Sequence, residues 1–207
     1  MSQRLSDLLF VMHVHNDDDQ LVTSNVNRIN SLYPESSMVL IYDGVPVRGH
    51  VCVEIAGDRL KIAGKLGQWT ERYLKTFLDT DKPYLIKIDP DTKVHRPIVN
   101  LPDPSVECIF CRMGIDRVPH GGALGFTRPM VERLLSSGWL HDPAVLRYHN
   151  HHAYQDQMLR TIVWSKKLSV SVRRDFGWVG HETEDTTFSH YGNYEPYLPD
   201  QFLPQIR

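Results

Sequence analysis

Short apolar runs alternate with helix-type segments along most of the chain, and this alternation restricts the possible folds more than any other feature. The run at residues 8–14 is followed by an acidic stretch that predicts a helix over about 18–33, which Pro34 ends. Further strands are predicted at 38–42, 51–56, 84–88, 107–113 and 121–127, and further helices near 67–79, 129–136 and 153–166. The pattern predicts an α/β fold with a mostly parallel central sheet and helices on both faces.

Length and charge limit the size and the partners of this protein. The chain has 207 residues, which fits a single domain and is short for an eight-fold βα barrel. Its 23 basic and 25 acidic side chains nearly cancel, so we expect no nucleic-acid partner. No apolar run reaches the ~18 residues of a transmembrane helix. The short run at 8–14 is typical of a first strand rather than of a signal peptide. Three cysteines indicate no disulfide framework, so we expect a cytoplasmic protein, and the lack of a membrane stem favours a bacterial or virus-encoded one.

Polar residues follow three of the predicted strands, at the edge where open α/β sheets bind their ligands. Strand 8–14 ends in His13-Val14-His15, strand 38–42 is followed by Asp43, and strand 84–88 is followed by Asp89-Pro90-Asp91. Because the carboxyl ends of parallel strands meet at one edge, we expect these groups to line one crevice.

The pair Asp89 and Asp91 is the most informative of these groups. Asp-x-Asp occurs at two other places, but one opens a helix and the other lies in the turn before Pro83. Only Asp89 and Asp91 directly follow a strand that reads as buried, where two carboxylates two residues apart face the same way and can share a divalent cation. The context predicts a metal site; the alternative is a pair of acids in a surface turn.

His190 is a candidate third ligand from far along the chain. It lies in the segment TTFSHYGNY, whose residues show no amphipathic pattern that would place the imidazole in the core. An imidazole with carboxylates suits Mn²⁺ better than a purely oxygen site does. The alternative is an ordinary surface or core histidine.

Four short motifs occur in a fixed order along the chain. They are IDPDTKV, HGGALGFT, YQDQMLRTIV and HYGNY. This series resembles the metal-dependent nucleotide-sugar glycosyltransferases of the GT-A fold, and within them it is most similar to the glycogenin-like retaining enzymes. Lys65–Trp69 is also similar to a Lys-Leu-x-x-Trp segment of that group. The resemblance implies a single GT-A (Rossmann-like) domain with a nucleotide-binding half over about 1–100, an acceptor and catalytic half over about 101–193, and a C-terminal arm at 194–207.

The resemblance also implies roles for individual residues. The metal would be Mn²⁺ or Mg²⁺, held by Asp89, Asp91 and His190, and it would bridge the diphosphate of a UDP-sugar. The catalytic group would be Asp156 with its neighbour Gln155. The donor would be bound by the following residues: His13, Val14, His15, Asp43, Lys65, Asp89, Pro90, Asp91, Gly121 and Gly122. The family's lysine after its C-terminal His-x-Gly has no counterpart in this sequence.

The expected reaction is therefore transfer of a hexose from a UDP-sugar to a sugar, lipid or protein acceptor, with retention of configuration. Asp156 would orient the donor in a retaining enzyme or act as general base in an inverting one, and its alternative role is a helix N-cap. A bulge that requires positive φ is the alternative role of Gly121-Gly122.

Two other functional classes fit the same sequence. One is a metal-dependent hydrolase in which His13 and His15 join Asp89 and Asp91. The other is a binding module for nucleotide sugars that lacks turnover. The aromatic, proline-rich tail is expected to cover the site or to pack on another subunit, so a homo-oligomer is compatible with the sequence.

Overall fold

A seven-stranded sheet forms the centre of the structure, a computed structural model that describes residues 5–14, 19–42, 52–54, 66–113, 119–146 and 155–190. Its strands are β1 (Leu8–Val14), β2 (Ser37–Tyr42), β3 (Cys52–Glu54), β4 (Tyr84–Ile88), β6 (Ile109–Met113), β7 (Pro119–Thr127) and β8 (Val170–Val172). Their order across the described sheet is β3-β2-β1-β4-β7-β6-β8. Only β7 runs against its neighbours, so the sheet is mostly parallel, as predicted.

Helices cover both faces of this sheet. They are α1 (Asp19–Leu32), α2 (Leu66–Leu78), α3 (Arg128–Ser136), α4 (Pro143–Leu146) and α5 (Gln155–Lys166), with 3-10 turns at Leu5–Asp7 and Trp139–His141. One core lies between the sheet and α2, α3 and α5, and the other lies between the sheet and α1. The apolar stripe of α2 is buried as its helical spacing predicts. No helix in the described ranges is long and apolar enough to cross a membrane.

A small second sheet joins the last described part of the chain to the end of β4. It consists of β5 (Thr92–Val94), β10 (Phe188–His190) and β9 (Phe176–Trp178), in that order. Phe188 contacts Phe176 edge to face, with ring centroids 4.9 Å apart. The antiparallel pairing of β10 with β5 sets Phe188 opposite Val94 and His190 opposite Thr92. This pairing fixes the position of His190 beside the residues that follow β4.

Gly67 allows α2 to approach the Trp139–His141 turn closely. A Cβ at this position would lie 1.7 Å from the carbonyl oxygen of Leu140, which is backbone and cannot rotate away. We therefore expect Gly67→Ala to lower the free energy of unfolding by about 3 kcal/mol, through overpacking. Urea unfolding measures the change. Gln68→Ala, at the next and exposed position of α2, is the control and is expected to stay within about 0.5 kcal/mol of wild type.

Candidate active site

The turn after β4 holds Asp89 and Asp91 against β7. The backbone N–H of Asp89 donates to the Gly122 carbonyl at 3.0 Å, and the Thr92 hydroxyl donates to the same carbonyl at 2.7 Å. The backbone N–H of Thr92 donates a hydrogen bond to the Asp89 carbonyl at 3.0 Å. From the outer side, Asn25 of α1 donates its side-chain amide to the Pro90 carbonyl. These contacts fix the path of the Asp-x-Asp segment, so its two carboxylates emerge from a rigid turn.

His190 lies within reach of both carboxylates. Its Nδ1 lies 3.2 Å from Asp91 Oδ1 and 3.2 Å from the Thr92 hydroxyl. One ligand atom each from Asp89, Asp91 and His190 lies within 4.8 Å of the others. That span is close to twice a metal–ligand bond of about 2.2 Å. One divalent cation therefore fits between the three atoms after only a small inward movement of the side chains. All three side chains are partly buried, and they are the three residues that the sequence predicts as metal ligands.

The imidazole of His190 packs directly against Gly122, where a side chain would collide with it. A Cβ at this position would lie 2.3 Å from His190 Cγ and 2.5 Å from His190 Cβ. Among the described glycines, positive φ occurs at Gly138 and Gly180, so the role of Gly122 is close approach rather than a bulge with positive φ. The missing side chain at Gly122 therefore makes room for His190 beside Asp91, and this room is what a three-ligand site at the end of β4 requires.

Asp156 lies in the first turn of α5, near the metal group. It lies inside the described helix and accepts a hydrogen bond from the N–H of the next residue, Gln157, at 2.9 Å. Burial raises the pKa of the Asp156 carboxyl, whereas that hydrogen bond and the charge of Lys87 lower it, and the charge of Asp89 raises it further. Asp156 therefore lies within electrostatic range of a candidate metal ligand, in an environment that disfavours its ionised form.

Gln155 points in a different direction from Asp156. Its buried amide Nε2 donates to the Thr70 hydroxyl at 3.1 Å and to the Tyr73 hydroxyl at 2.5 Å, both on α2. Its Oε1 has no hydrogen-bond partner among the described residues. Burial raises the pKa of Tyr73, whereas the hydrogen bond from Gln155 lowers it. Gln155 thus ties the start of α5 to α2 and thereby fixes where Asp156 lies.

The end of β1 is buried rather than open. His13 Nε2 accepts a hydrogen bond from the Trp69 indole N–H at 3.0 Å, and the two rings meet edge to face. Val14, the last residue of β1, is also buried. Since Nε2 of His13 is engaged by Trp69, this nitrogen is not available to a metal, and the group found among the described residues contains His190 instead. This geometry gives no support to the hydrolase alternative.

The remaining predicted residues divide into two groups. Gly121 lies in β7 and Pro90 in the turn between the two carboxylates, beside the metal group. His15, Asp43 and Lys65 lie outside the described residues, as does the C-terminal arm at 194–207. The crevice that they were expected to share with the metal group is therefore described only from β1, β4, β7 and α5.

Two residues beside the metal group were not singled out from the sequence. Lys87 is almost completely buried, with its Nζ 2.5 Å from Asp89 Oδ1, and Thr92 links the Asp-x-Asp turn to His190. The available signal was the lysine itself, because a cation inside the apolar run YLIKI requires a buried partner. Thr92 carries no comparable signal, since a threonine is ordinary in a strand.

Comparisons with known proteins agree with this architecture. No family model and no curated protein matches the chain. A crystal structure of an active-site mutant of LgtC matches with a TM-score of 0.62 and 11% identity, over 88% of this chain and 86% of that chain. A crystal structure of the galactosyltransferase LgtC in complex with donor and acceptor sugar analogs matches with a TM-score of 0.59 and 13% identity, over 95% and 92%. At such identities the likeness concerns the fold, and it confirms the predicted α/β GT-A fold.

Proposed function

We propose that this protein is a glycosyltransferase that moves a hexose from a UDP-sugar to a sugar, lipid or protein acceptor, with retention of configuration, as the glycogenin-like group does. The observation that carries the proposal is the convergence of Asp89, Asp91 and His190 at the carboxyl end of β4 in a GT-A fold. The solved structures with this fold include a galactosyltransferase with donor and acceptor analogs, which supports the reaction class.

The three candidate metal ligands suit Mn²⁺, and we expect Mg²⁺ to bind there more weakly. Two carboxylates and one imidazole combine hard oxygen ligands with a nitrogen that Mn²⁺ accepts more readily than Mg²⁺ does. Gly122 leaves room for the His190 ring, and this room supports the imidazole as the third metal ligand. Three protein ligands leave positions of an octahedral shell open for phosphate oxygens. When bound, the ion supplies Lewis-acid stabilisation of the charge that develops on the leaving diphosphate.

The chain's own residues bind and orient the donor in this proposal. Asp156 accepts a hydrogen bond from a sugar hydroxyl and, as a carboxylate, stabilises the positive charge that develops at the anomeric carbon. Gln155 holds Asp156 in place through α2. His13 and Val14 support the nucleoside end of the crevice from β1. His15 and Asp43 contact the base and ribose, Lys65 the sugar or phosphate, and Gly121 lets the sugar approach the backbone of β7.

Calorimetry with UDP and UDP-glucose tests the proposal directly. We expect Mn²⁺ to strengthen binding of either ligand to the metal-stripped protein by about 100-fold or more, since a metal bridge is worth several kcal/mol. Asp89→Ala/Asp91→Ala should abolish this gain. Asp79→Ala/Asp81→Ala is the matched control, because it removes the same motif from an exposed turn.

Three outcomes separate the functional classes. Metal-dependent nucleotide binding followed by transfer to an acceptor supports the proposal. Binding without any product over long incubation with UDP-glucose and candidate acceptors would favour the binding module. A protein that binds no nucleotide with either Mn²⁺ or Mg²⁺ is not a transferase of this kind.

A further inference from the structure

Lys87 is a buried cation inside the strand that leads to the metal group. It follows Leu85 on the face of β4 that packs against α2, α3 and α5, where the alternation of the strand calls for an aliphatic side chain. Its side chain is only 4% exposed. An ammonium group in such a place is stable only with a close anionic partner. The role of Lys87 therefore depends on which anionic side chain it contacts.

The partner of Lys87 is a candidate metal ligand. Its Nζ lies 2.5 Å from Asp89 Oδ1, so one of the two oxygens of this carboxylate is already engaged by a cation. The charge of Lys87 also acts on Asp156 at the start of α5. Lys87 therefore contacts the metal group and lies within electrostatic range of the carboxylate that we assign to the sugar.

An engaged oxygen changes what Asp89 can offer to an ion. A carboxylate binds a divalent cation through one oxygen or through both, and the second mode fills an additional position in the coordination shell. An ammonium at Oδ1 opposes the second mode, and its positive charge also repels an ion bound at the other oxygen. The same three ligands without Lys87 would thus hold a bare ion more tightly.

We propose that Lys87 is a positioning residue that limits Asp89 to one ligand oxygen, so that the protein alone holds the metal weakly and keeps coordination positions for the donor diphosphate. The identity of the diphosphate rests on the proposed function, whereas the effect on the bare ion does not. We therefore expect the protein to bind the ion weakly when it is alone and strongly when the nucleotide is also present.

Lys87→Met tests this inference, because methionine is apolar and of similar length. With Mn²⁺ as the probe, followed by electron paramagnetic resonance of the free ion, we expect the variant to bind the bare ion about tenfold more tightly than wild type. The gain in UDP affinity that Mn²⁺ brings should fall by about tenfold. Lys87→Arg keeps the charge and should not tighten the binding of bare Mn²⁺. Lys82→Met is the control, since it removes a half-buried lysine bonded to the Ser6 carbonyl before β4 begins.

A merely structural role for Lys87 would lower stability in Lys87→Met without tightening the binding of bare Mn²⁺. Unchanged or weaker Mn²⁺ affinity in the folded variant therefore overturns the inference, and so does a wild-type protein that binds no Mn²⁺. If Lys87→Met does not fold, Lys87→Leu carries the same prediction, because it also removes both the charge and the N–H donor at Asp89 Oδ1. A wild type that binds Mn²⁺ but no nucleotide contradicts the proposed function alone, and the bare-ion comparison still decides on Lys87.

Discussion

Gly122→Ala is expected to weaken Mn²⁺ binding about 100-fold, the upper range for residues that support metal ligands. The added Cβ would lie 2.3 Å from His190 Cγ, so the imidazole must leave its place beside Asp91. The Gly122 carbonyl also accepts the hydrogen bonds from Asp89 and Thr92, so a shift of β7 would move the Asp-x-Asp turn as well. Calorimetric titration with Mn²⁺ measures the loss, and unfolding should show a cost of about 1–3 kcal/mol.

Two further variants separate the metal site from general packing. Gly177→Ala is the matched control, because its Cβ would meet Thr186 Cγ2 at 3.6 Å, an ordinary contact, in the strand next to β10. His190→Gly removes the three atoms, Cβ, Cγ and Nδ1, that the new Cβ would strike. Combined with Gly122→Ala, it should restore stability but not Mn²⁺ affinity, giving a clearly non-additive cycle. A folded Gly122→Ala protein with wild-type Mn²⁺ affinity would exclude His190 from the site.

The parts of the fold with a long periodic signal were predictable from the sequence. The strand predicted at 8–14 is β1, the strand predicted at 84–88 is β4, and the helix predicted near 67–79 is α2 at 66–78. The apolar stripe of α2 is buried as its helical period indicates, and β1 and β4 are nearly continuous apolar runs that are buried along their whole length, as central parallel strands are. The Asp-x-Asp context was readable for the same reason, because it depends on recognising β4 as a buried strand.

Among the described three-residue strands, β3 lies within the strand predicted at 51–56, but the other four were not predictable in this way. β5, β8, β9 and β10 have three residues each, which is too few for alternation to stand out from loop sequence. The position of His190 depends on the pairing of β10 with β5, which joins residues almost 100 positions apart. No local pattern encodes such a pairing, and His190 was proposed only through a weak local argument and the family resemblance.

Gln155 illustrates a second limit, which is the direction of a side chain. Adjacent residues at a helix start point about 100° apart, so Gln155 and Asp156 lie in different surroundings. Which of them turns toward α2 depends on hydroxyl partners on Thr70 and Tyr73, far away in sequence. The sequence therefore located the start of α5 as a candidate site but could not assign separate roles to its two residues.

Asp156→Asn is expected to reduce transfer by about 100-fold or more and to stabilise the protein at neutral pH. Burial raises the pKa of Asp156, so the folded state binds this proton more tightly than the unfolded state does. The stabilising contribution of the protonated carboxyl is complete below the ordinary pKa of 3.8 and is lost as the pH rises through the raised folded value. Asparagine keeps an acceptor for the Gln157 N–H and never ionises, so it avoids that loss.

Thermal unfolding and turnover measured on the same samples test both halves of the prediction for Asp156→Asn. The Tm of the variant should exceed that of wild type at about pH 7, and the difference should shrink toward about pH 3, where wild-type Asp156 is protonated in both states. Asp142→Asn is the control, because Asp142 also accepts a backbone hydrogen bond at a helix start, from the Ala144 N–H of α4, and should keep full turnover. If Asp156→Asn transfers sugar at the wild-type rate, Asp156 serves only to start α5.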